Sequence, residues 1–337
     1  MGIYIKSSES ISSQDTFDKK DILIDIINHD GNYQPCVLPD FKQYIDAKLL
    51  RRMSKILKMG VASAKSCLSK AGLEVPDAIL VGTGLGCIDD TAKFLNLIID
   101  NNEQMLNPTP FIQSTHNTIS GQIALLIKCK KYNLTFTQKS ISFETALMDA
   151  TMLLKDNDTS NVLVGGADEL NDLAFELIQA SGCAASGYSS EGSTFFVLSN
   201  EKGASTVELK DVTIINRVNG LDDLQNHLVQ FLLRSKLTID DIDVLVTGQR
   251  DDAPNECYYN EVSDWFANSN IVKYKHLVGD YDTASAFGMF LAYEIIKNCK
   301  IPESVASVKS SSAGLKRILV YNQSKHKDFS FVLLSKC

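Results

Sequence analysis

Apolar positions recur at two different spacings along this chain, and the combination predicts a layered α/β fold with a largely parallel sheet. Apolar runs predict strands at 78–82, 133–137, 161–164, 194–198, 209–216 and 242–247, and a closing strand pair at 317–321 and 329–334. Helical spacing predicts helices at 41–71, 116–128 and 279–297, and an apolar stripe at Phe143, Ala146, Leu147, Ala150 and Leu154. Both halves of the chain show a similar order of elements without an evident sequence repeat.

The predicted helix 41–71 has two faces of different character. One face holds Leu49, Met53, Ile56 and Gly60. The cations lie on another face, at Lys48, Arg51, Arg52, Lys55 and Lys58. On an otherwise acidic protein such a face could steer the docking of an acidic partner protein. The alternative interpretation is an ordinary solvated helix face.

Composition narrows the class of protein. Of the 337 residues, 44% are apolar and 22% are charged, which is typical of a globular protein. The net charge of -8 argues against nucleic-acid partners and against anionic membrane surfaces. No apolar run approaches the roughly 18 residues that cross a bilayer, and the chain does not begin with a secretory signal pattern. We therefore expect a cytoplasmic protein.

The sequence predicts neither a metal nor a cofactor. The eight cysteines, at positions 36, 67, 87, 129, 183, 257, 299 and 337, include no CxxC pair and no Cys/His cluster, so we expect reduced core cysteines. The turn GTGLG at 82–86 lacks the GxGxxG spacing of a dinucleotide site. We interpret it as a tight strand-to-loop turn.

Several segments, taken in order, resemble the β-ketoacyl synthase family. They are NPTPFIQS at 107–114 followed by Asn117 and Gly121, SFETAL at 142–147, VGGAD at 164–168, SEGS at 190–193, and Lys275 with Gly279. The resemblance spans nearly the whole chain and is strongest over residues 80–200. It implies a thiolase-like α/β fold of two βαβαβαββ halves in five α-β-α-β-α layers, a synthase-like half at 1–205, a shortened half at 206–337, and dimerisation through a first-half strand.

Members of this family condense an acyl thioester with malonyl-acyl carrier protein, using a cysteine at a helix N-terminus and two histidines. Aligned by eye, the cysteine position here is Ser140, a far weaker acid without a base beside it. The second histidine position is Asp280, whose charge would repel an enolate, and the first is Gly248 or Gln249. The glycine-rich C-terminal loop is replaced by NQSKH at 322–326. The chain is therefore expected not to catalyse condensation alone.

The resemblance also implies a substrate pocket, with a set of residues expected around it. They are Phe111, His116, Asn117, Phe143 and Lys275. For His116 a structural hydrogen-bonding role is favoured over catalysis.

Three functions remain open at this stage. The first is a non-catalytic, chain-length-factor-like partner of an active ketosynthase in type II fatty acid or polyketide synthesis, of aryl-polyene or flexirubin-like type. It would pair with the synthase or with itself, and acyl carrier protein would be a further partner. The second is an acyltransferase or hydrolase with Ser140 as nucleophile at the head of a helix, where the competing interpretation of Ser140 is a helix cap or a small filler. The third is a stand-alone protein that binds acyl carrier protein or acyl-CoA.

Overall fold

The computed structural model of the chain describes residues 2–29, 31, 33–180, 189–249, 258–306, 314–324 and 327–337. The strands are β1 (Ile3–Ile11), β2 (Tyr33–Gln34), β3 (Ala78–Gly82), β4 (Tyr132–Phe136), β5 (Asn161–Asp168), β6 (Ser189–Ser190), β7 (Gly192–Ser199), β8 (Val207–Asn216), β9 (Val244–Thr247), β10 (Asn270–Lys273), β11 (Arg317–Ser324) and β12 (Asp328–Lys336). The helices are α1 (Ala47–Leu50), α2 (Lys55–Lys70), α3 (Ile88–Asp100), α4 (Pro108–Ser114), α5 (Thr118–Leu126), α6 (Ser142–Lys155), α7 (Asp172–Ala180), α8 (Leu221–Arg234), α9 (Tyr259–Trp265), α10 (Lys275–Val278) and α11 (Ala284–Asn298).

Ten strands follow one hydrogen-bonded order, β10-β9-β11-β12-β8-β1-β7-β5-β3-β4. The pairing of β1 with β8 joins two five-stranded halves and involves only two residue pairs. In each half three strands are parallel, β4-β3-β5 and β10-β9-β11, and two antiparallel strands follow. Because both halves repeat the same βαβαβαββ order, the thiolase-like fold class is confirmed. The boundary expected after residue 205 lies in the connection between β7 and β8.

Helices α6 and α11 form the central layer between the two halves of the sheet. The predicted α6 stripe is fully buried there, and α11 is buried from Ala284 to Ile296. A second core lies under α2 and α5 on the first half, and a third under α8 and α9 on the second half. Each large apolar side chain buried in these layers contributes about 1.5–3 kcal/mol. Among the described residues, these three cores and a small fourth cluster around Ile11, Met59 and Ala62 hold the five layers together.

The prediction of one helix over residues 41–71 is wrong. This region contains a 3-10 turn at Phe41–Gln43, the short helix α1 and then α2. Ser54 precedes α2 in an extended conformation (φ -65°, ψ 170°), which interrupts the helical hydrogen bonds. As a result Leu49, predicted on the apolar face, is 41% exposed, whereas Ile56 on α2 is fully buried.

Two other predicted boundaries shift. Strand β5 continues through Gly165 and Gly166 to Asp168, and the Phe195 ring fills the space where a Gly165 side chain would lie. Helix α11 begins at Ala284 rather than at residue 279, because Gly279 adopts a positive φ of 74° and ends the separate turn α10.

The cysteine prediction holds in part. Cys67, Cys87 and Cys129 are buried and free, and Cys36 is free and half-buried. Cys299 and Cys337 are exposed, while positions 183 and 257 lie outside the described residues. Across the described ranges, no group of His, Cys, Asp and Glu side chains has the geometry of a metal site. Within that same part of the chain, none of the helices is long and apolar enough to cross a membrane.

Candidate functional site

The starts of α6 and α11 meet the carboxyl ends of the first-half strands. Gly82, the last residue of β3, packs so closely on the start of α6 that a Cβ there would lie 2.5 Å from the Ser142 carbonyl carbon. Gly166 on β5 faces Thr283, which precedes α11; a Cβ on Gly166 would lie 2.7 Å from the Thr283 Cβ. Helix N-termini present free N–H groups and partial positive charge. The segments that lead into these two helices therefore form the candidate site.

Ser140 lies in the 3-10 turn Lys139–Ile141, which leads directly into α6. Its Oγ is buried and has no hydrogen-bond partner among the described residues. The interpretation of Ser140 as a helix cap is wrong, because the 3-10 turn places Ile141 at the N-cap position and no side chain caps the helix. The Ser140 carbonyl accepts a hydrogen bond of 3.1 Å from Nδ2 of Asn322.

A buried carboxyl connects α6 with the second half of the sheet. Glu144, in the first turn of α6, is fully buried, and its Oε1 accepts from Asn322 Nδ2 (3.1 Å) and from Ser330 Oγ (2.7 Å). Burial raises the pKa of Glu144. The sequence offered a signal for this contact, since an acidic residue inside an apolar helical stripe is rarely buried without partners. Asn322 itself lies in β11 and pairs with Ser330, so this part of the predicted loop is strand.

Asp280 forms an ion pair with Lys275. The Lys275 Nζ lies 2.7 Å from the Asp280 Oδ1, and the lysine is only 7% exposed. Gly248 leaves room for this lysine, because a Cβ there would lie 3.0 Å from the Lys275 Cε. Gln249, beside it, donates its side-chain amide to Asn260. The anion at the position expected for the second histidine is thus compensated by a cation within the same site.

Asp168 connects the two halves of the chain through hydrogen bonds at the candidate site. Its carboxylate accepts from Thr83 Oγ1 (3.0 Å), the Gly84 N–H (2.7 Å), and both the N–H (2.9 Å) and Oγ1 (2.8 Å) of Thr283. The Asp282 side chain packs directly against Gly84. Burial, followed by the nearby Asp168 charge, raises the pKa of Asp282 to about 7. Sequence patterns did not indicate Asp282, since its environment comes from strands and loops far apart in the chain.

Three of the five expected pocket residues lie on the surface. Phe111 is 54% exposed and packs against Phe94, with ring centroids 5.1 Å apart. His116 is exposed, and its ring lies against Gly86, where a Cβ would be 2.9 Å from the His116 Cδ2. Asn117 is also exposed. These three residues therefore lie on the surface in and after α4 and do not line an enclosed pocket in the described part of the chain.

The other two expected pocket residues are buried. Phe143 is fully buried in the central core and packs on Phe196, with ring centroids 5.9 Å apart. It therefore has the position of a core residue, in contrast to the prediction. Lys275 lies with Asp280 as described above.

The expected docking cations do not share one helix face. Lys55 is partly buried and pairs with Glu191 (2.5 Å), and it also donates to Tyr33 Oη (3.1 Å) and the Leu170 carbonyl (3.0 Å). It thus supports the structure around Glu191, which is 1% exposed. The other cations are Lys58, which is partly buried on α2, and the exposed Lys48, Arg51 and Arg52 on α1 and the break that follows it.

Solved structures with the same fold cover the whole chain. A structure entitled the ishigamide ketosynthase/chain length factor is 16% identical (TM-score 0.83), with 100% of this chain and 99% of that chain covered. A type II PKS acyl-carrier protein in complex with its ketosynthase bound to the hexaketide (AntDE:AntF) is 14% identical (TM-score 0.76, coverage 100% and 99%). A ketosynthase (ApeO) in complex with its chain length factor (ApeC) from Xenorhabdus doucetiae is 13% identical (TM-score 0.76, coverage 100% and 98%). At these identities the likeness establishes the fold.

The family is established by sequence. The family described as beta-ketoacyl synthase, N-terminal domain, matches residues 34–239, more than half of the chain. No curated protein matches the sequence. The chain belongs to the β-ketoacyl synthase family.

Proposed function

We propose that this chain is a non-catalytic, chain-length-factor-type subunit that pairs with an active ketosynthase. One observation carries the proposal: polar contacts within the chain occupy the positions expected for the family's catalytic residues. Asp280 is paired with Lys275, and Gln249 donates to Asn260. Ser140 carries a hydroxyl in place of a thiol. A concerted catalytic constellation loses nearly all of its chemistry when its members are replaced together.

The relatives of known structure support the choice of partners. Two of them are described as a ketosynthase with its chain length factor, and a third contains an acyl-carrier protein. In our proposal the chain assembles with a ketosynthase, or with a copy of itself, and receives acyl carrier protein near the exposed cations Lys48, Arg51 and Arg52. A cytoplasmic location and an aryl-polyene or flexirubin-like pathway are part of the same proposal and rest on the resemblance.

The free edge of β4 is the assembly surface that we propose. β4 is the last strand of the sheet order and pairs with β3 alone among the described strands. Tyr132 and Leu134 on β4 are each 42% exposed, and Leu125 on the adjacent α5 is 71% exposed. An exposed apolar edge strand is a template for pairing with another chain.

Substitution of Leu134 by arginine tests this surface. We expect Leu134→Arg to abolish the complex with a co-expressed ketosynthase that retains the catalytic cysteine and histidines, because it places a charge in an apolar strand interface. The measurement is size-exclusion chromatography with light scattering. Leu233→Arg is the matched control, since Leu233 on α8 is similarly exposed (51%) but lies on the second half. If both variants formed the ketosynthase complex to the same extent as the wild-type chain, the proposal that β4 is the assembly surface would be refuted.

A serine acyl-enzyme is the second candidate, and the unpartnered buried Oγ of Ser140 favours it. A hydroxyl at the start of a 14-residue helix would have the positive end of the helix available for a developing oxyanion. No base within hydrogen-bonding distance of this Oγ is found in the described residues. Since activation of a serine needs such a base, the non-catalytic function ranks first.

A further inference from the structure

A cavity of about 350 Å³ lies away from the candidate site, at the C-terminal end of α11. Its walls come from three places in the chain: residues 21–24, the last turns of α11, and residues 300–304. Its apolar floor includes Ile22 and Ile295, which are buried, while Ile24 at the rim is 70% exposed. The volume is at the lower end of the range of about 300–1,000 Å³ seen for small-molecule sites.

The backbone conformation of Leu23, in one wall of the cavity, is fixed by its contacts. Leu23 has a positive φ of 57°, its side chain is 5% exposed, and its carbonyl accepts a 3.0 Å hydrogen bond from Ser304 Oγ. A non-glycine residue in this conformation is strained and persists only where surrounding contacts fix it. The cavity is therefore built into the folded chain.

The polar rim of the cavity is predominantly negative. Asp21, Glu294 and Glu303 supply three carboxylates, and Lys300 is the only cation among the described lining residues. Lys297, which does not line the cavity, forms an ion pair with Glu294 (Nζ to Oε1, 3.0 Å). No described cation pairs with Asp21 or Glu303. The C-terminal end of a helix adds partial negative charge from its unsatisfied carbonyls.

We propose that this cavity is a binding site for a small primary alkylammonium ligand. The aliphatic chain would pack on Ile22 and Ile295, and the ammonium group would lie at the rim between Asp21 and Glu303. A cavity of this size holds about a dozen water-sized groups, which matches a short amine. The inference is independent of the proposed function, because none of these residues belongs to the candidate site or to the β4 edge.

Isoleucine-methyl NMR of the intact protein tests the proposal, with n-hexylammonium chloride as the probe. We expect chemical-shift changes concentrated on Ile22, Ile24 and Ile295, with millimolar affinity. Neutral 1-hexanol should bind more weakly and hexanoate more weakly still, because the rim repels an anion. Equal responses to all three compounds, or shifts spread over unrelated isoleucines, would overturn the proposal.

Two variants with opposite expected signs separate charge recognition from non-specific apolar binding. Glu303→Gln should weaken hexylammonium binding by about two- to fivefold, the size of a surface ion pair. Lys300→Gln should strengthen binding by a similar factor, because it removes the lining cation. Changes of the same sign in both variants would contradict the proposal. A lysine peptide that binds more tightly than hexylammonium would instead assign the cavity to a protein side chain and overturn the small-ligand assignment.

Discussion

At the scale of single residues, the boundary between the halves depends on two aspartates with different surroundings. Asp168 is satisfied by hydroxyl and N–H donors from both halves. Asp282 lies against Gly84 and faces the charges of Asp168 and Asp280, which oppose its ionisation, and those of Lys139 and Lys275, which favour it. Burial is the largest cause that raises the pKa of Asp282 to about 7.

This pKa makes stability depend on pH in a predictable direction. An aspartate in the unfolded chain titrates near 3.9, so between about pH 4 and 7 the folded state holds a proton that the unfolded state has lost. The free energy of unfolding therefore falls as pH rises through this window, by at most about 1.4 kcal/mol per pH unit.

Asp282→Asn should remove this contribution. We compare the free energies of unfolding of wild type and variant at each pH. As the pH rises from 5 to 8, the wild-type value should fall relative to the variant value by up to about 2 kcal/mol, after allowance for solvent screening. Urea unfolding at several pH values measures it. The difference between the two proteins is the relevant quantity, because burial also raises the pKa of Glu169 to about 7. Parallel stability curves would contradict the account.

At the scale of elements, strands with continuous apolar runs were predictable, and so was the stripe of α6. The central strand β1 was not predicted, because its sequence IYIKSSESI carries polar residues at most positions. Two of its buried serines find hydrogen-bond partners that only the fold supplies: Thr194 for Ser10 (2.8 Å) and the Cys67 carbonyl for Ser7 (2.7 Å). Tertiary contacts therefore override the local pattern here.

Alanine substitutions at two glycines distinguish the effect of close packing from the effect of helix propensity. Gly82→Ala should destabilise the protein by about 1–3 kcal/mol, because its Cβ would meet the backbone at the start of α6 at 2.5 Å. Gly121→Ala, inside α5 with no atom within 4 Å of the new methyl, should stabilise it by about 0.4–1 kcal/mol. Denaturant unfolding measures both, and a Gly82→Ala variant as stable as wild type would show that the packing of β3 on α6 is not as described.

At the scale of the whole molecule, the duplicated topology brings the starts of α6 and α11 to one place. The ordered motifs of the first half, together with Lys275 and Gly279, were sufficient to predict the family and the fold. The contacts within the site were not predictable, because Asn322, Glu144 and Ser330 lie far apart in sequence and meet only when the two halves pack together. The prediction that the five cations share one continuous helix face was wrong, because one extended residue, Ser54, separates α1 from α2.

In the function that we propose, this chain does not itself form an acyl-enzyme. The most direct test is the intact mass of the purified protein after incubation with acyl-loaded and malonyl-loaded carrier protein, beside a Ser140→Ala variant. We expect no acyl increment on either protein. An increment on wild type that is absent from Ser140→Ala would contradict the account and identify a serine acyl-enzyme.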